Sequence, residues 1–280
     1  MTQFIRNICS ELERNDPTLT SLTIESSIIY QMDLPIFFQS LRLNNVIKDL
    51  SFYGVHFGLL THGQRSPKRC IHALAKIISQ RGSHRPPVES LTFWKNELDL
   101  EDMQILTTAL KTSSSIKFLR FLGETGLNTQ TIKLLANALK GNKSIEGLHL
   151  IGENIKDEGA IALASALEQN SALKHLKLLF TGIRSPGITA IANALTKNTT
   201  LTHLDLQGNR FNKKLWESID QRLEFNYQLD QAMHRSLRFV MVQKELSIAQ
   251  KRALHKLKQQ KPSIRIIDEL PLPQAAGNLR

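Results

Sequence analysis

Three polar side chains in the second half of the chain have the chemistry of a metal site. His175 and His203 hold the same place in two related hexads, LKHLKL and LTHLDL, and Asp205 follows two residues after His203. Two imidazoles and a carboxylate are ligands that zinc accepts. Lys177 stands close to them in sequence and would oppose a bound cation, and solvated polar residues on a binding surface are far commoner than metal sites. The sequence therefore favours a binding surface at these residues, with no metal.

Other motifs of catalysis and cofactor binding are absent from the sequence. HExxH, CxxC and GxSxG do not occur. Gly182 and Gly187 have the spacing of a phosphate-binding loop, but Ile188 stands where that loop requires a lysine. Two cysteines, Cys9 and Cys70, are too few for a disulfide scaffold or a four-cysteine zinc site. We therefore expect no cofactor and no enzymatic activity, and we expect Cys9 to pack in the core.

A repeated hexad positions these residues. It has apolar side chains at its first, fourth and sixth places, and it begins at Leu19, Ile47, Val88, Ile116, Ile145, Leu173 and Leu201. All the intervals between starts are 28 or 29 residues except the second, which is 41. Between hexads, apolar residues recur at the three- and four-residue spacing of a helix face. Each unit therefore predicts a short strand followed by a helix, and the repetition predicts parallel strands stacked in a curved solenoid.

Two of the units resemble the ribonuclease-inhibitor type of leucine-rich repeat. The residues that match the family pattern are Ile155, Gly159, Ala166 and Leu167 in one unit and Ile183, Gly187, Ala194 and Leu195 in the next. The resemblance covers roughly residues 19–225. It implies an α/β leucine-rich-repeat solenoid, or horseshoe, of about seven strand-helix units with a C-terminal helical extension. It implies no particular activity, because one fold serves many functions.

The resemblance is incomplete at one place in the loop. We number the hexad residues 1 to 6 and the following residues 7, 8 and 9. The family has an asparagine at position 9, which satisfies backbone groups, and this chain has it only as Asn96 and Asn209. The residues found there in the other units are Ser27, Val55, Glu124, Glu153 and Thr181. We therefore expect an irregular ladder of hydrogen bonds in those turns.

Charge is concentrated near the C-terminus. The 280-residue chain has a formal net charge of +11, and residues 231–280 carry +7 of it. We expect an N-terminal capping helix over 1–18, repeats over 19–229, a basic amphipathic helix over 230–261 and a flexible tail over 262–280. The basic residues of the third segment are Arg235, Arg238, Lys244, Lys251, Arg252, Lys256 and Lys258. They suit an anionic membrane or an acidic protein, unless the helix simply caps the solenoid.

An apolar row is the strongest sign of binding in the sequence. Position 7 should face the concave side together with positions 3 and 5, because side chains alternate along a strand. Position 7 is apolar in five units, as Tyr53, Trp94, Leu122, Ile151 and Leu179, and we call these residues the apolar stripe. Four strand spacings give it a length of about 19 Å. The other candidate partner-binding residues are Phe118, Arg120, His149, His175, Lys177, His203 and Asp205.

These features predict a non-catalytic module that binds a partner protein through its concave face, since exposed apolar patches usually mark interfaces. One alternative is a bacterial effector delivered into a host cell to bind a host protein. Another is a GTPase-activating protein resembling Ran GTPase activators, with Arg120 as the acting arginine. Aromatic residues are only 6%, so we expect no specific nucleic-acid partner. Without a signal-peptide pattern or a long apolar run, the expected location is the cytoplasm, or a host cell after translocation.

Overall fold

The computed structural model describes residues 3–25, 34–55, 69–79, 88–234, 239–241, 246–262 and 264–267. Seven strands form one parallel sheet in chain order: β1 Ser21–Glu25, β2 Asp49–Tyr53, β3 Ser90–Trp94, β4 Phe118–Leu122, β5 Gly147–Ile151, β6 His175–Leu179 and β7 His203–Asp205. Equivalent hexad positions face each other across neighbouring strands, as Leu50 does with Leu91. The hexads therefore set both the strands and their register, and the predicted α/β solenoid is confirmed.

Helices alternate with the strands. They are α1 Gln3–Arg14, α2 Leu34–Leu43, α3 Arg69–Ile78, α4 Leu100–Thr112, α5 Thr129–Gly141, α6 Lys156–Leu167, α7 Ser185–Ala194, α8 Lys213–His234 and α9 Ile248–Gln260. Asp99 and Asn128 begin two of them with a capping box, in which side chain and backbone bond reciprocally. No helix in the described ranges combines the length and the apolar character needed to cross a membrane.

The core lies between the sheet and the helices. From the second unit onwards, the apolar hexad positions 1, 4 and 6 are buried, while most side chains at positions 3, 5 and 7 keep some exposure. Phe52, Phe93 and Phe121 occupy position 6 of adjacent strands, and their rings stack at centroid distances of 5.7 and 5.3 Å. Each such pair adds about 1 kcal/mol beyond the area it buries. This stack fixes the strands from which the aromatic end of the apolar stripe projects.

A ladder of asparagines, which the sequence analysis missed, ties the helix ends to the next strands. Its main members are Asn142, Asn170, Asn198 and Asn226, which recur every 28 residues and are buried. In Asn170, Nδ2 donates to the carbonyl oxygens of Leu139 at 2.7 Å and Asn142 at 3.1 Å. Its Oδ1 accepts the N–H groups two and three residues downstream, at 2.8 and 2.7 Å. The exact 28-residue spacing was a signal available in the sequence.

The loop ladder at position 9 is continuous from Val55 to Glu153, a stretch in which the sequence predicted irregularity. Asn96 Oδ1 accepts the N–H of Val55 at 2.8 Å, and the Asn96 N–H donates to Oε1 of Glu124 at 3.0 Å. The N–H of Glu124 donates in turn to Oε1 of Glu153 at 2.9 Å. A carboxyl oxygen accepts a backbone N–H as an amide oxygen does. The expected disturbance is therefore wrong for the turns of Val55, Glu124 and Glu153, because a carboxyl oxygen takes over the accepting role of the asparagine amide oxygen. Ser27 lies outside the described residues.

Helix α1 packs beside α2 at the N-terminal end, in the stretch expected to cap the first repeat. Cys9 and Leu12 are buried in the main core, which confirms the prediction for Cys9. The carbonyl oxygen of Leu12 accepts a hydrogen bond from Nδ2 of Asn44 at 2.8 Å. Asn44 thus attaches the first helix to the repeats in the way that the later asparagines attach theirs.

The structure divides the stretch 230–261, which was expected to be a single helix. Helix α8 continues to His234, a short strand β8 spans Phe239–Met241, and α9 begins only at Ile248. Ser247 starts α9 with a capping box, so the second helix has its own N-terminal signal. The periodic apolar residues of the sequence did not reveal this interruption.

A second small core joins the C-terminal elements. Leu254 and Leu257 of α9 pack with Leu229 of α8. Strand β8 pairs in parallel with β9, Arg265–Ile267, which lies within the stretch expected to be a flexible tail. Residues 268–280 of that expected tail fall outside the described residues. The apolar face of α9 is therefore covered within the chain.

Candidate functional site

The exposed face of the sheet carries the side chains predicted to bind a partner. They occupy positions 3, 5 and 7 of β2–β7, and they are Tyr53, Trp94, Phe118, Arg120, Leu122, His149, Ile151, His175, Lys177, Leu179, His203 and Asp205. In β4, for example, the second and fourth side chains are buried and the other three are partly exposed. We call this the concave face, because the helices on the opposite side are wider than the strands.

The apolar stripe is continuous across five strands. Register pairs join its members in the order Tyr53, Trp94, Leu122, Ile151 and Leu179. The rings of Tyr53 and Trp94 are in contact, with centroids 4.8 Å apart. Trp94 is 49% exposed, and the other four side chains are partly buried. An exposed tryptophan within an apolar row is typical of the anchors that dominate protein interfaces.

Phe180, which the sequence analysis did not select, extends the stripe at its C-terminal end. It follows Leu179 at position 8 and is 60% exposed. Its φ of +54° is a left-handed conformation that strains an aromatic residue. Glycine with positive φ occupies position 8 in four other units, and the Phe180 ring lies over one of them, Gly208. Phe180 could have been identified from the sequence, because it is a phenylalanine at a position where most units have glycine.

Arg120 lies at the centre of the concave face and is held by two neighbours. Its Nη1 donates to Oγ of Ser90 at 2.5 Å, and its guanidinium carbon lies 5.3 Å from the ring centroid of Phe118. The Phe118 ring covers Gly147, where an added Cβ would come within 2.5 Å of it. The guanidinium is therefore directed along the sheet before any partner arrives.

The electrostatics of the central strands depend on two cations and on neutral imidazoles. Burial, reinforced by the charges of Arg120 and Lys177, lowers the pKa of His149 to about 4. Burial and the neighbouring His203 lower the pKa of His175 as well. At neutral pH His149 is therefore uncharged, and Arg120 and Lys177 supply the positive charge in the middle of this face.

The structure brings His175 and His203 together without completing a metal site. The two residues pair in register on β6 and β7, and their ring centroids are 4.5 Å apart. Asp205 pairs in the same register with Lys177, a cation that opposes metal binding. Nδ1 of His203 lies 2.8 Å from Oγ1 of Thr202, so this nitrogen already has a partner. Among the described residues, no group of three or more His, Cys, Asp or Glu is placed to hold a metal ion.

A groove of about 800 Å³ opens between strands β4–β7 and helix α8. Helix α8 contributes Asp220, Glu224 and Tyr227 to its lining. The Tyr227 ring meets His203 edge-on, with centroids 5.9 Å apart and an interplanar angle of 88°. Together with Asp205, the two carboxylates of α8 make the C-terminal end of the concave face acidic, in contrast to its basic centre.

Four of the basic residues predicted near the C-terminus lie on α9 and are exposed: Lys251, Arg252, Lys256 and Lys258. Nζ of Lys258 donates to the carbonyl oxygen of Ile264 at 2.5 Å. The other three predicted residues, Arg235, Arg238 and Lys244, fall outside the described residues. Since the apolar face of α9 packs on α8, its basic face is the one turned to solvent.

A comparison with protein families bears on the repeats directly. The family described as "Leucine Rich repeat" matches residues 197–214, which contain the hexad from Leu201 and the position-9 residue Asn209. The fold is a leucine-rich-repeat solenoid. The matched stretch covers only part of one unit, and the same hexad continues in register through the other strands of the sheet.

Two of the solved structures that resemble the chain are the following. One, described as "Leiomodin-1 Actin-Binding Site 2 (ABS2)", is 17% identical, with 93% of this chain and 100% of that chain covered and a TM-score of 0.43. The other, a tropomodulin C-terminal domain from Caenorhabditis elegans, is 11% identical, with 83% and 98% covered and a TM-score of 0.34. No curated protein matched the chain. Likenesses this weak say nothing about what this chain binds.

Proposed function

We propose that this chain is a non-catalytic module that binds a partner protein through the concave face of its repeats. The apolar stripe carries the proposal. Its five side chains are register neighbours on one face, and Trp94 remains half exposed. A docked partner would remove this apolar surface from water, which favours binding by about 25 cal/mol per Å². Phe180 enlarges the same surface at the end of the stripe.

The polar residues around the stripe support the proposal because their side chains are held in defined positions. The contacts of Arg120 with Ser90 and Phe118 hold its guanidinium in one direction. Side chains that are already ordered lose little conformational entropy on binding. Charges at the margin of an apolar patch steer the encounter and select the orientation of the partner. The basic centre and the acidic end of the concave face therefore suit a partner with a matching distribution of charge.

Affinity capture from cytosol tests the proposal. The full chain is compared with the double variant Tyr53→Ala/Trp94→Ala and with Ile161→Ala as a matched control. Ile161 on α6 is 48% exposed, close to the 49% of Trp94, but belongs to the helical side. Thermal unfolding first establishes that all three are folded. A protein captured by the wild type and by Ile161→Ala but lost with the double variant supports the proposal. Equal capture by all three would reject it.

A further inference from the structure

We propose that the concave face accepts an amphipathic α-helix whose apolar side is bordered by aspartate or glutamate. This inference rests on the proposed function and specifies the partner. The four central strands, β3–β6, present their side chains at positions 3, 5 and 7, followed by position 8. The apolar residues at these positions include Trp94, Phe118 and Phe180. The cations are Lys95, Arg120 and Lys177. None of these positions holds a carboxylate.

The spacing of the apolar stripe matches a helix that lies across the strands. Neighbouring stripe residues sit on adjacent strands, about 4.8 Å apart. An α-helix repeats its apolar face every turn, or about 5.4 Å, so successive turns meet successive stripe residues. An extended segment repeats one face about every 6.7 Å and falls out of step within two strands. The stripe therefore fits a helix better than a strand.

The cations beside the stripe determine the charge of that helix. Arg120, His149 and Lys177 are register neighbours, so the two cations are two strands, or about 9.6 Å, apart. Two helical turns cover about 10.8 Å, which places the complementary carboxylates at positions i and i+7 of the partner. The exposed Lys95 follows Trp94 directly and adds a cation at the loop end of that strand. Paired opposite charges at the edge of an apolar contact fix orientation.

Carboxylates outside the central strands limit where an acidic helix can lie. Asp49 is exposed on β2, and Asp205 stands on β7 beside the acidic side chains of α8 in the groove. Either end would repel an acidic partner that shifted toward it. Trp94 and Leu179 are three strand spacings, or about 14 Å, apart, which corresponds to about three helical turns. The partner helix is therefore centred on β4 and β5.

Selection from a displayed library of random peptides of about 16 residues, long enough for four turns, tests the inference. The bait is the full chain, and binders are counted only when Trp94→Ala abolishes binding and Ile161→Ala does not. Selected sequences with apolar residues at i, i+3 or i+4 and i+7, flanked by Asp or Glu, support the inference. Binders of basic or non-periodic sequence overturn it and leave the proposed function standing. If no binder depends on Trp94, both fail.

A second experiment reverses the charges on the peptide and on the concave face. Two synthetic helical peptides share one apolar face and carry either glutamate or lysine at the flanking positions. The wild type should bind the glutamate peptide at least about tenfold more tightly, and Arg120→Glu/Lys177→Glu should reverse this preference. Lys111→Glu/Lys133→Glu, on exposed positions of α4 and α5, is the matched control and should keep the preference of the wild type. An unchanged preference in the concave-face variant overturns the inference.

Discussion

Oε1 of Glu153 accepts the backbone N–H of Glu124 at 2.9 Å inside the loop ladder. The Oε2 atoms of both glutamates are buried, with no hydrogen-bond partner among the described residues. An ionised carboxylate is costly in such a site, whereas a protonated carboxyl offers an acceptor and a donor, as an asparagine amide does. Burial raises the pKa of Glu124 to about 7, and burial together with the charge of Glu124 raises that of Glu153 to about 8.

We predict that the free energy of unfolding falls as the pH rises from about 5 to about 8. The ordinary pKa is 4.5, so above it the unfolded chain has lost both protons while the folded chain still holds them. The contribution of the two glutamates is therefore complete below pH 4.5 and is lost as the pH passes the raised values near 7 and 8. Urea unfolding at a series of pH values measures this slope.

The variant Glu153→Gln should flatten that slope. Glutamine keeps an acceptor and a donor in the ladder but has no proton to lose. Each pH unit between the unfolded and folded pKa values corresponds to about 1.4 kcal/mol for one group, so Glu153→Gln should exceed the wild type in stability at pH 8. Glu158→Gln, at an exposed position of α6, is the control and should keep the slope of the wild type. A Glu153→Gln slope equal to the wild-type slope would contradict the account of the ladder.

Removing an asparagine from the helix-end ladder should be strongly destabilising. Asn170→Ala deletes the side-chain partners of two carbonyl oxygens and two N–H groups in a buried turn. We expect a loss of about 3 kcal/mol in the free energy of unfolding, because buried groups left without partners are costly. Asn154→Ala, at an exposed loop position, should change it by less than about 0.5 kcal/mol. Similar losses in the two variants would show that the ladder is not a major source of stability.

The repeating part of the fold could be predicted from the sequence because its causes are periodic. One hexad sets the strand, and its recurrence brings Trp94 next to Leu122 and His175 next to His203. The apolar stripe could be predicted from the same periodicity, since position 7 faces the exposed side of the sheet in every unit. The roles of these residues in binding stay predictions.

The asparagine ladder was missed although its 28-residue spacing is periodic, whereas three other features depart from the repeat or depend on contacts far along the chain. Phe180 departs from the glycine pattern of position 8, and its φ follows from the backbone path of the loop rather than from its own preference. The break between α8 and α9 reflects packing of Leu229 against Leu254 and Leu257, which no local periodicity encodes. The burial of Glu124 and Glu153 results from the stacking of neighbouring turns, which the sequence of a single turn does not encode.

The strain at Phe180 leads to a prediction that separates binding from stability. Phe180→Gly removes an exposed ring from a left-handed position that glycine adopts without cost. The free energy of unfolding should therefore stay within about 1 kcal/mol of the wild type, while binding to the partner or to selected peptides weakens by about tenfold or more. Phe180→Ala, which keeps the positive φ with a Cβ, should bind as weakly and be less stable than Phe180→Gly. A fall in stability with unchanged binding in Phe180→Gly would mean that the ring serves the fold.

Site-specific photo-cross-linking tests the central claim most directly. A benzophenone side chain replaces Leu122 in the apolar stripe in one variant and Ile161 on α6 in another, and each full chain is irradiated with its captured partner. We predict a covalent adduct with the partner from position 122 and none from position 161. An adduct from position 161 with none from position 122 would contradict the claim that the concave face is the binding surface.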